Sequence, residues 1–512
     1  MSTDLNSTNE TAGDRRIYLE AMVDYNRTFG RHDVNAMLLY NQDELVNNVP
    51  GNNLINSLPK RKQGLAGRLS YAYDGKYMAE VNMGYNGSEN FAKGHRWGFF
   101  PSIALGYNIS EESFFEPLRK VITSMKLRGS WGLVGNDQIG GERFIYMPTI
   151  NLSGKGFTTG IDQNYGLSGP VYTRYENNSI TWEVGEKINL GIDLQLLNSL
   201  NIVVDIFRET RRDIFQKKGT IPTYLGTGNT DVFGNLAEMK NQGLDLSIDY
   251  NKAFSKDFYM NFKGTFTYAH NEITKYDEAP KYAFQSKVGQ SANVSQGYLS
   301  NGLFLDEAEI DRYNQQMGST LGAGDIKYLN VSNMHGYGDD IVDVDDWTWI
   351  GNPTVPEIVY GFGPSFKYKN WDFSFFFQGV AKTSLFMSGF HPFGDNSLRN
   401  VLQFVANDRW SPTNQNVDAK YPRLTRKTSL NNTNPGNSGR TSDYWMRDGS
   451  FLKLKNMELG YTFKRMRFYI SGSNLLTFSK FDLWDPEQGG GSGLKYPTQR
   501  VFNVGFQMTF NN

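Results

Sequence analysis

The feature that most constrains this chain is a period of two that returns along nearly its whole length. At the C-terminus Phe502, Val504, Phe506, Met508 and Phe510 fall on one face of an extended segment, and Asn503, Gly505, Gln507 and Thr509 on the other. Ile17, Leu19, Ala21, Val23 and Tyr25 alternate in the same way with Tyr18, Glu20, Met22, Asp24 and Asn26. In the middle of the chain Ile188, Leu190, Ile192, Leu194 and Leu196 alternate with Asn189, Gly191, Asp193 and Gln195. A soluble sandwich could bury such a face against a second sheet. A transmembrane β-barrel turns it toward lipid and keeps the polar face in a hydrated lumen. Asp and Asn at every second position inside strands would damage a sandwich core, whereas in a lumen they are solvated.

The order of the connections decides between these folds. About fifteen alternating segments can be counted. Short turns lie near 28–31, 74–75, 109–120, 197–200, 252–257, 369–370 and 464–465; Asp74-Gly75 is a strong hairpin signal. Long connections lie near 47–61, 86–96, 135–182, 209–231, 273–356, 382–447 and 479–498. Short and long alternate, so every long loop is expected at one end of the strands. An up-and-down barrel in an outer membrane has that arrangement, with short periplasmic turns and long extracellular loops. The expected fold class is therefore all-β, an antiparallel transmembrane β-barrel, with a soluble all-β protein as the competing reading.

Composition agrees and excludes other classes. Aromatic residues make up 14% of the chain and there are 53 glycines, while mean hydropathy is −0.52. Alternating strands with long polar loops give that mixture. Runs of about 18 apolar residues are absent from the sequence, which removes helical membrane spans. Absence of cysteine excludes disulfides and thiolate metal sites. A formal charge of −1 offers no case for nucleic acid. The start, Met1-Ser-Thr-Asp-Leu-Asn, lacks the basic and apolar regions of a signal peptide. If Asn512 is periplasmic, strand parity puts residues 1–14 outside the cell, and an odd strand count leaves an edge unpaired in lipid. The expectation is that residues 1–512 are the C-terminal part of a larger barrel.

Several segments carry a resemblance. They are Leu127-Arg-Gly-Ser-Trp-Gly-Leu-Val-Gly-Asn136, Thr181-Trp182-Glu183 with Lys187–Asp193, and Gly234–Asp245. Further on are Gly324-Asp-Ile-Lys-Tyr328, Ile350–Pro353 with Pro356-Glu357, Phe451–Asn456, Gly460-Tyr461 and Ser473–Thr477. In this order they resemble the C-terminal half of SusC-like (RagA-like) TonB-dependent outer-membrane transporters of Bacteroidetes. The resemblance implies a barrel of about 22 strands, roughly seven more than this chain supplies. It also implies a plug domain, a TonB box and a signal peptide, which are expected to lie outside residues 1–512. The implied partners are a SusD-like surface lipoprotein, TonB–ExbB–ExbD acting through the missing N-terminal part, and outer-membrane lipid. The implied cargo is an oligosaccharide or oligopeptide, and the chain alone is expected not to transport. A barrel with an adhesive or loop-borne surface role is the alternative.

The family often carries a Ca²⁺-loop-like pattern where this chain has Asn330 to Asp346. Hard cations take several oxygen ligands from a tight loop. The candidate ligands are Asn330, Asn333, Asp339, Asp343 and Asp346. The first Asp of the pattern is Asn330 here, Met334-His-Gly-Tyr337 reads as an insertion, and Asp340 stands at the second glycine. These departures predict weak binding. Trp347, Trp349, Trp410, Trp445 and Trp484 lie in or beside long loops, where loop packing or a membrane interface is the expected role and sugar stacking the rival. His32, His95, His270, His335 and His391 show no metal or triad spacing, and nucleophile motifs are absent, so no enzyme is expected.

Overall fold

The computed structural model describes residues 13–47, 58–139, 143–222, 231–313, 315–316, 321–390, 392–393, 398, 400–426, 431–432 and 441–510. His391, Asn512, residues 1–12 and most of the 47–61 connection lie outside the described residues. Fifteen strands share one sheet in chain order. They are β1 (Asp14–Phe29), β2 (His32–Asn47), β3 (Lys60–Tyr73), β4 (Tyr77–Ser88), β5 (Trp97–Asn108), β6 (Ile122–Asn136), β7 (Glu183–Leu196) and β8 (Leu200–Lys217). The rest are β9 (Phe233–Ala253), β10 (Phe258–Lys275), β11 (Ile358–Tyr368), β12 (Trp371–Ala381), β13 (Phe451–Phe463), β14 (Met466–Ser479) and β15 (Val501–Met508).

Alternation sets the register. Ala21, Tyr40, Leu65, Tyr85 and Phe99 stand opposite one another across β1 to β5, so apolar side chains form continuous rows on one face. The three-residue turn between β3 and β4, Asp74-Gly75-Lys76, holds both Asp74 (φ 52°) and Gly75 (φ 64°) in the left-handed region, the conformation for which Asp-Gly is a favoured pair. The opposite face pairs its charges across strands. Arg128 on β6 donates to Asp205 at 2.6 and 2.7 Å and to Asp193 at 3.0 Å. Gly191 makes room for them: a Cβ there would stand 2.6 Å from the guanidinium carbon and 2.7 Å from Asp205.

The expected barrel is not what the strands form. Strand order runs linearly from β1 to β15, and among the described residues these two pair only with β2 and β14. Both edges are open: all 16 residues of β1 are exposed. Closing an odd number of up-and-down strands would need a parallel pair between the first and the last, and no such pair is formed among the described residues. The fold is an open antiparallel sheet. No helix among the described residues is long and apolar enough to cross a membrane.

Two strand boundaries also differ from the sequence reading. The charged stretch 209–217, expected in a loop, continues β8, because Arg212 reaches Glu186 of β7 at 3.0 Å and Arg211 reaches Glu209 at 2.9 Å. The Gly-rich connection 135–182 contains its own hairpin, Thr149–Thr159 paired with Tyr165–Arg174.

The chain divides into two compact units. One comprises Met1–Leu197, Asp205–Gln242 and Ile273–Ala279. Its core is built from connections: Phe91, Ile139, Ile145, Ile180 and Trp182 are buried together, with Phe100, Phe215 and Phe233 packed against them. The other comprises Asn198–Val204, Gly243–Glu272 and Pro280–Asn512. Its core is larger and again made mostly of connections, with Tyr298, Tyr328, Phe393, Trp410, Tyr421 and Trp445 among its buried side chains.

Candidate functional site

The long connections of the second unit are folded, and the segment Gly324–Tyr328 shows how. The Asp325 carboxylate has no exposure. It accepts hydrogen bonds from Gly322 N at 2.9 Å, Asn432 Nδ2 at 2.6 Å and an Arg423 guanidinium nitrogen at 2.9 Å. The Ile326 amide donates to Asn432 Oδ1 at 3.0 Å, and its carbonyl accepts from Asn431 Nδ2 at 2.7 Å. A buried carboxylate is tolerated because donors surround it and one carries a full charge. Gly324 has φ +85°, and a Cβ there would lie 2.3 Å from the Trp410 ring. Glycine is needed on both counts, backbone angle and close approach.

A clamp closes the foot of the 273–356 connection. Glu357 takes a 2.5 Å hydrogen bond from His270 and lies 3.5 Å from the Lys382 ammonium. These groups sit where β10, β11 and β12 end.

The candidate cation ligands are only partly brought together. Asn330 caps the short helix Val331–Met334: its Oδ1 accepts from Asn333 N at 2.7 Å and from the Ser332 hydroxyl at 3.0 Å. Its Nδ2 donates to the Ile341 carbonyl at 3.1 Å and to Asp339 Oδ1 at 3.4 Å. Asp346 is fully buried and accepts from Ser332 N and Asp343 N, each at 2.9 Å. Burial pushes its carboxyl above the usual range, against the pull of those two amides. Both side chains are therefore engaged in holding the loop, and Asn333 contributes its own amide to the same cap. Asp339, Asp343 and Asp345 instead place one carboxylate oxygen each within 4.8 Å of one another. Asp345 was missed in the sequence; only its position beside Asp346 marks it. The turn Val344–Asp346 is closed by a capping box between Asp343 and Asp346, which leaves the Asp345 carboxylate beside those of Asp339 and Asp343. Three carboxylates suit a hard divalent cation by donor chemistry. The Lys281 ammonium bonded to Asp345 offsets part of that charge.

The insertion Met334-His-Gly-Tyr337 adds two rings beside this cluster. His335 stacks on Phe284 with centroids 4.7 Å apart, and Tyr337 lies 4.4 Å from Tyr282. The loop tryptophans pack within the connections: Trp410 and Trp445 are buried, Trp347 and Trp484 lie against the same core, and Trp349 donates to the Ser286 carbonyl at 2.8 Å. Burial in that core pushes the Tyr421 phenol up to about 12.

The structure thus pairs a long antiparallel sheet that has one apolar face with folded connections. Comparison with known proteins specifies the class. The family described as TonB dependent receptor-like, beta-barrel matches residues 2–475. The chain belongs to that family, which places it with proteins of the outer membrane. It is 26% identical over 481 residues to TonB-dependent receptor P3 of Formosa agariphila, covering 87% of this chain and 45% of the relative. It is 28% identical over 471 residues to TonB-dependent receptor SusC of Bacteroides thetaiotaomicron, covering 87% of this chain and 43% of the relative. The chain thus spans about half the length of these curated relatives. Its fold resembles the structure of the RagAB peptide transporter, with a TM-score of 0.70 and 20% identity over 97% of this chain and 56% of that one.

Proposed function

We propose that this chain works in the outer membrane as the C-terminal portion of a TonB-dependent importer of oligomeric nutrients, oligosaccharides or oligopeptides. The observation that carries this reading is the family match over nearly the whole chain, with SusC and the RagAB peptide transporter among its relatives. The chain's share of the relatives' length supports a longer receptor around it. In this reading the strands cross the membrane with the Leu19, Tyr40, Leu65, Tyr85, Phe99 face toward lipid, and the folded connections lie outside the cell. A SusD-like surface lipoprotein covers those connections, and TonB–ExbB–ExbD drives uptake. The role is transport, not catalysis. Asp339, Asp343 and Asp345 are the residues that would hold a Ca²⁺ ion, stiffening the outer connection.

The test is growth of the source organism on defined oligomers, such as a maltooligosaccharide series and a peptide digest, as sole carbon source. Deletion of the gene should abolish growth on one oligomer class and leave growth on its monomer intact. Loss of TonB should reproduce that phenotype. Growth unaffected on every oligomer, or lost equally on monomers, would overturn the reading.

A further inference from the structure

Arg128, Arg423 and Arg467 each meet at least one carboxylate. Arg447 does not. It is half-buried in the second unit, on the short strand Met446–Asp448 that pairs with Ser384–Phe386. No carboxylate comes within ion-pair reach of it among the described residues. The acids around it are engaged elsewhere or stand off. Asp443 accepts from the Ser300 amide and hydroxyl at 2.7 and 2.6 Å, and Asp408 pairs with Lys420 at 3.7 Å. Asp448 alternates to the opposite face of the strand and lies 3.8 Å from Lys480. Asp482 acts on the Tyr421 phenol and not on Arg447.

The guanidinium is held in place with one edge open. Its Nη1 donates to the Tyr444 and Met446 carbonyls at 2.8 and 2.7 Å. Nε and Nη2 have no partner among the described residues. That edge is the one through which an arginine grips a carboxylate with two parallel hydrogen bonds. The titratable groups its charge acts on are the Tyr421 and Tyr444 phenols. Their rings lie 6.4 and 5.6 Å from that of Trp445. The Tyr444 hydroxyl donates to the Ala419 carbonyl at 2.8 Å. The Tyr421 hydroxyl has no hydrogen-bond partner among the described residues, and the indole N–H of the fully buried Trp445 has no acceptor. Burial holds the Arg447 guanidinium below its usual value, because a charge drawn out of water without a counter-ion is costly. An anion on the open edge removes that cost.

We propose that Arg447 is a recognition residue for a carboxylate of the cargo, which it takes on its Nε–Nη2 edge beside the Tyr421 phenol. The carboxylate is that of a uronate unit in an oligosaccharide or of the C-terminus of an oligopeptide. The inference rests on the reading that this chain handles oligomeric nutrients, and makes them acidic ones.

The test is protection of Arg447 from phenylglyoxal, read by mass spectrometry on the protein purified in detergent as its source organism makes it. The probes are trigalacturonate with its methyl ester, and trialanine with its amide. Arg447 should be labelled in the absence of a probe. At least one acid should protect it, at a concentration about tenfold or more below that of its uncharged counterpart, the scale of a charge-assisted pair. Labelling of Arg31, 71% exposed, should not change. Protection by trigalacturonate alone assigns a uronate, and by trialanine alone a peptide terminus; either upholds the site. Protection by neither acid, equal protection by acid and uncharged form, or an Arg447 that resists the reagent without any probe overturns it. No variant is needed, so misfolding cannot mask the result. Protection needs no TonB, so its failure beside intact growth on oligomers strikes this inference and leaves the import reading standing.

Discussion

The ammonium of Lys453 lies 2.9 Å from a carboxylate oxygen of Glu487 and is also bonded to Asp485, although the lysine side chain is only 1% exposed. Lys453 opens β13, while both carboxylates belong to the connection between β14 and β15, in the same unit. Lys455 adds a second ammonium, 2.7 Å from Glu487. A buried charge of this kind binds its partners because the alternative is an unpaired ion in a dry site. Lys453→Met keeps the stem and removes the charge. It should cost about 3 kcal/mol, because two carboxylates lose their central partner. Limited trypsinolysis followed by mass spectrometry should find earlier cleavage at Lys480 and Lys495 in the variant; an unchanged digestion pattern would count against the clamp.

The same clamp predicts a pH dependence with a definite sign. Burial, the largest single influence, would raise the Asp485 and Glu487 carboxyls, but the hydrogen bonds and charges around them together outweigh it (Lys453 on both, Thr498 and the Glu487 amide on Asp485, Lys455 on Glu487) and hold both below the usual carboxylate range. Folded values below the unfolded ones mean stability that is present above about pH 4 and lost as pH falls through the folded values. Asp346 has the opposite sign: burial raises it, so the turn Val344–Asp346 gains stability in acid and loses it as pH rises through the folded value. Hydrogen exchange at 480–500 should therefore quicken below about pH 4 while exchange at 343–346 slows. Parallel changes in both segments would refute the assignment.

Period-two alternation made the strands and their shared apolar face readable, because each register step moves a side chain to the other face. The barrel was expected from the order of short and long connections; Ile17 to Tyr25 has the same pattern whether or not β1 finds a second partner, and the strands form an open sheet instead. The connections were opaque for a different reason. Asp325, Asn431 and Asn432 meet across about a hundred residues, and no local period announces such a contact. Charge also misled: Glu209 to Asp213 reads as loop, yet side chains on both faces find partners and the ladder continues. In the cation loop, a ligand pattern counted by spacing chose Asp346, whereas the capping box of the Val344–Asp346 turn buries Asp346 and leaves Asp345 beside Asp343.

Gly324 gives a sharp test of the folded connections. Its φ of +85° is strained for any other residue, and the Trp410 ring occupies the space a methyl group would need. Gly324→Ala should therefore displace Trp410 and loosen Asp325 from Arg423, costing about 2 kcal/mol or more. Thermal unfolding followed by tryptophan fluorescence should register an earlier transition. The control Gly336→Ala has a similar φ of +82° but open space around its Cβ, and should cost less. Equal effects at both positions would mean backbone angle, not contact with Trp410, sets the requirement.

The acidic cluster can be tested apart from transport. Asp339, Asp343 and Asp345 gather three oxygens within 4.8 Å, but each already accepts a hydrogen bond or ion pair: Ile341 N on Asp339 at 3.1 Å, Asp345 N on Asp343 at 2.8 Å, and Lys281 on Asp345. A cation must displace the lysine and share the remaining lone pairs, so affinity should fall in the range of about 10⁻⁴ to 10⁻³ M. Lys281→Met frees Asp345 and should tighten Ca²⁺ binding by about tenfold, the value of one competing charge pair removed at close range. Asp343→Asn should abolish binding, while Asp346→Asn should weaken the turn by about 1 kcal/mol, because one of two backbone donors loses its acceptor. Isothermal titration with CaCl₂ distinguishes these outcomes. Heat that persists in Asp343→Asn, or affinity unchanged in Lys281→Met, would remove the three carboxylates as ligands and leave them as a solvated acidic turn.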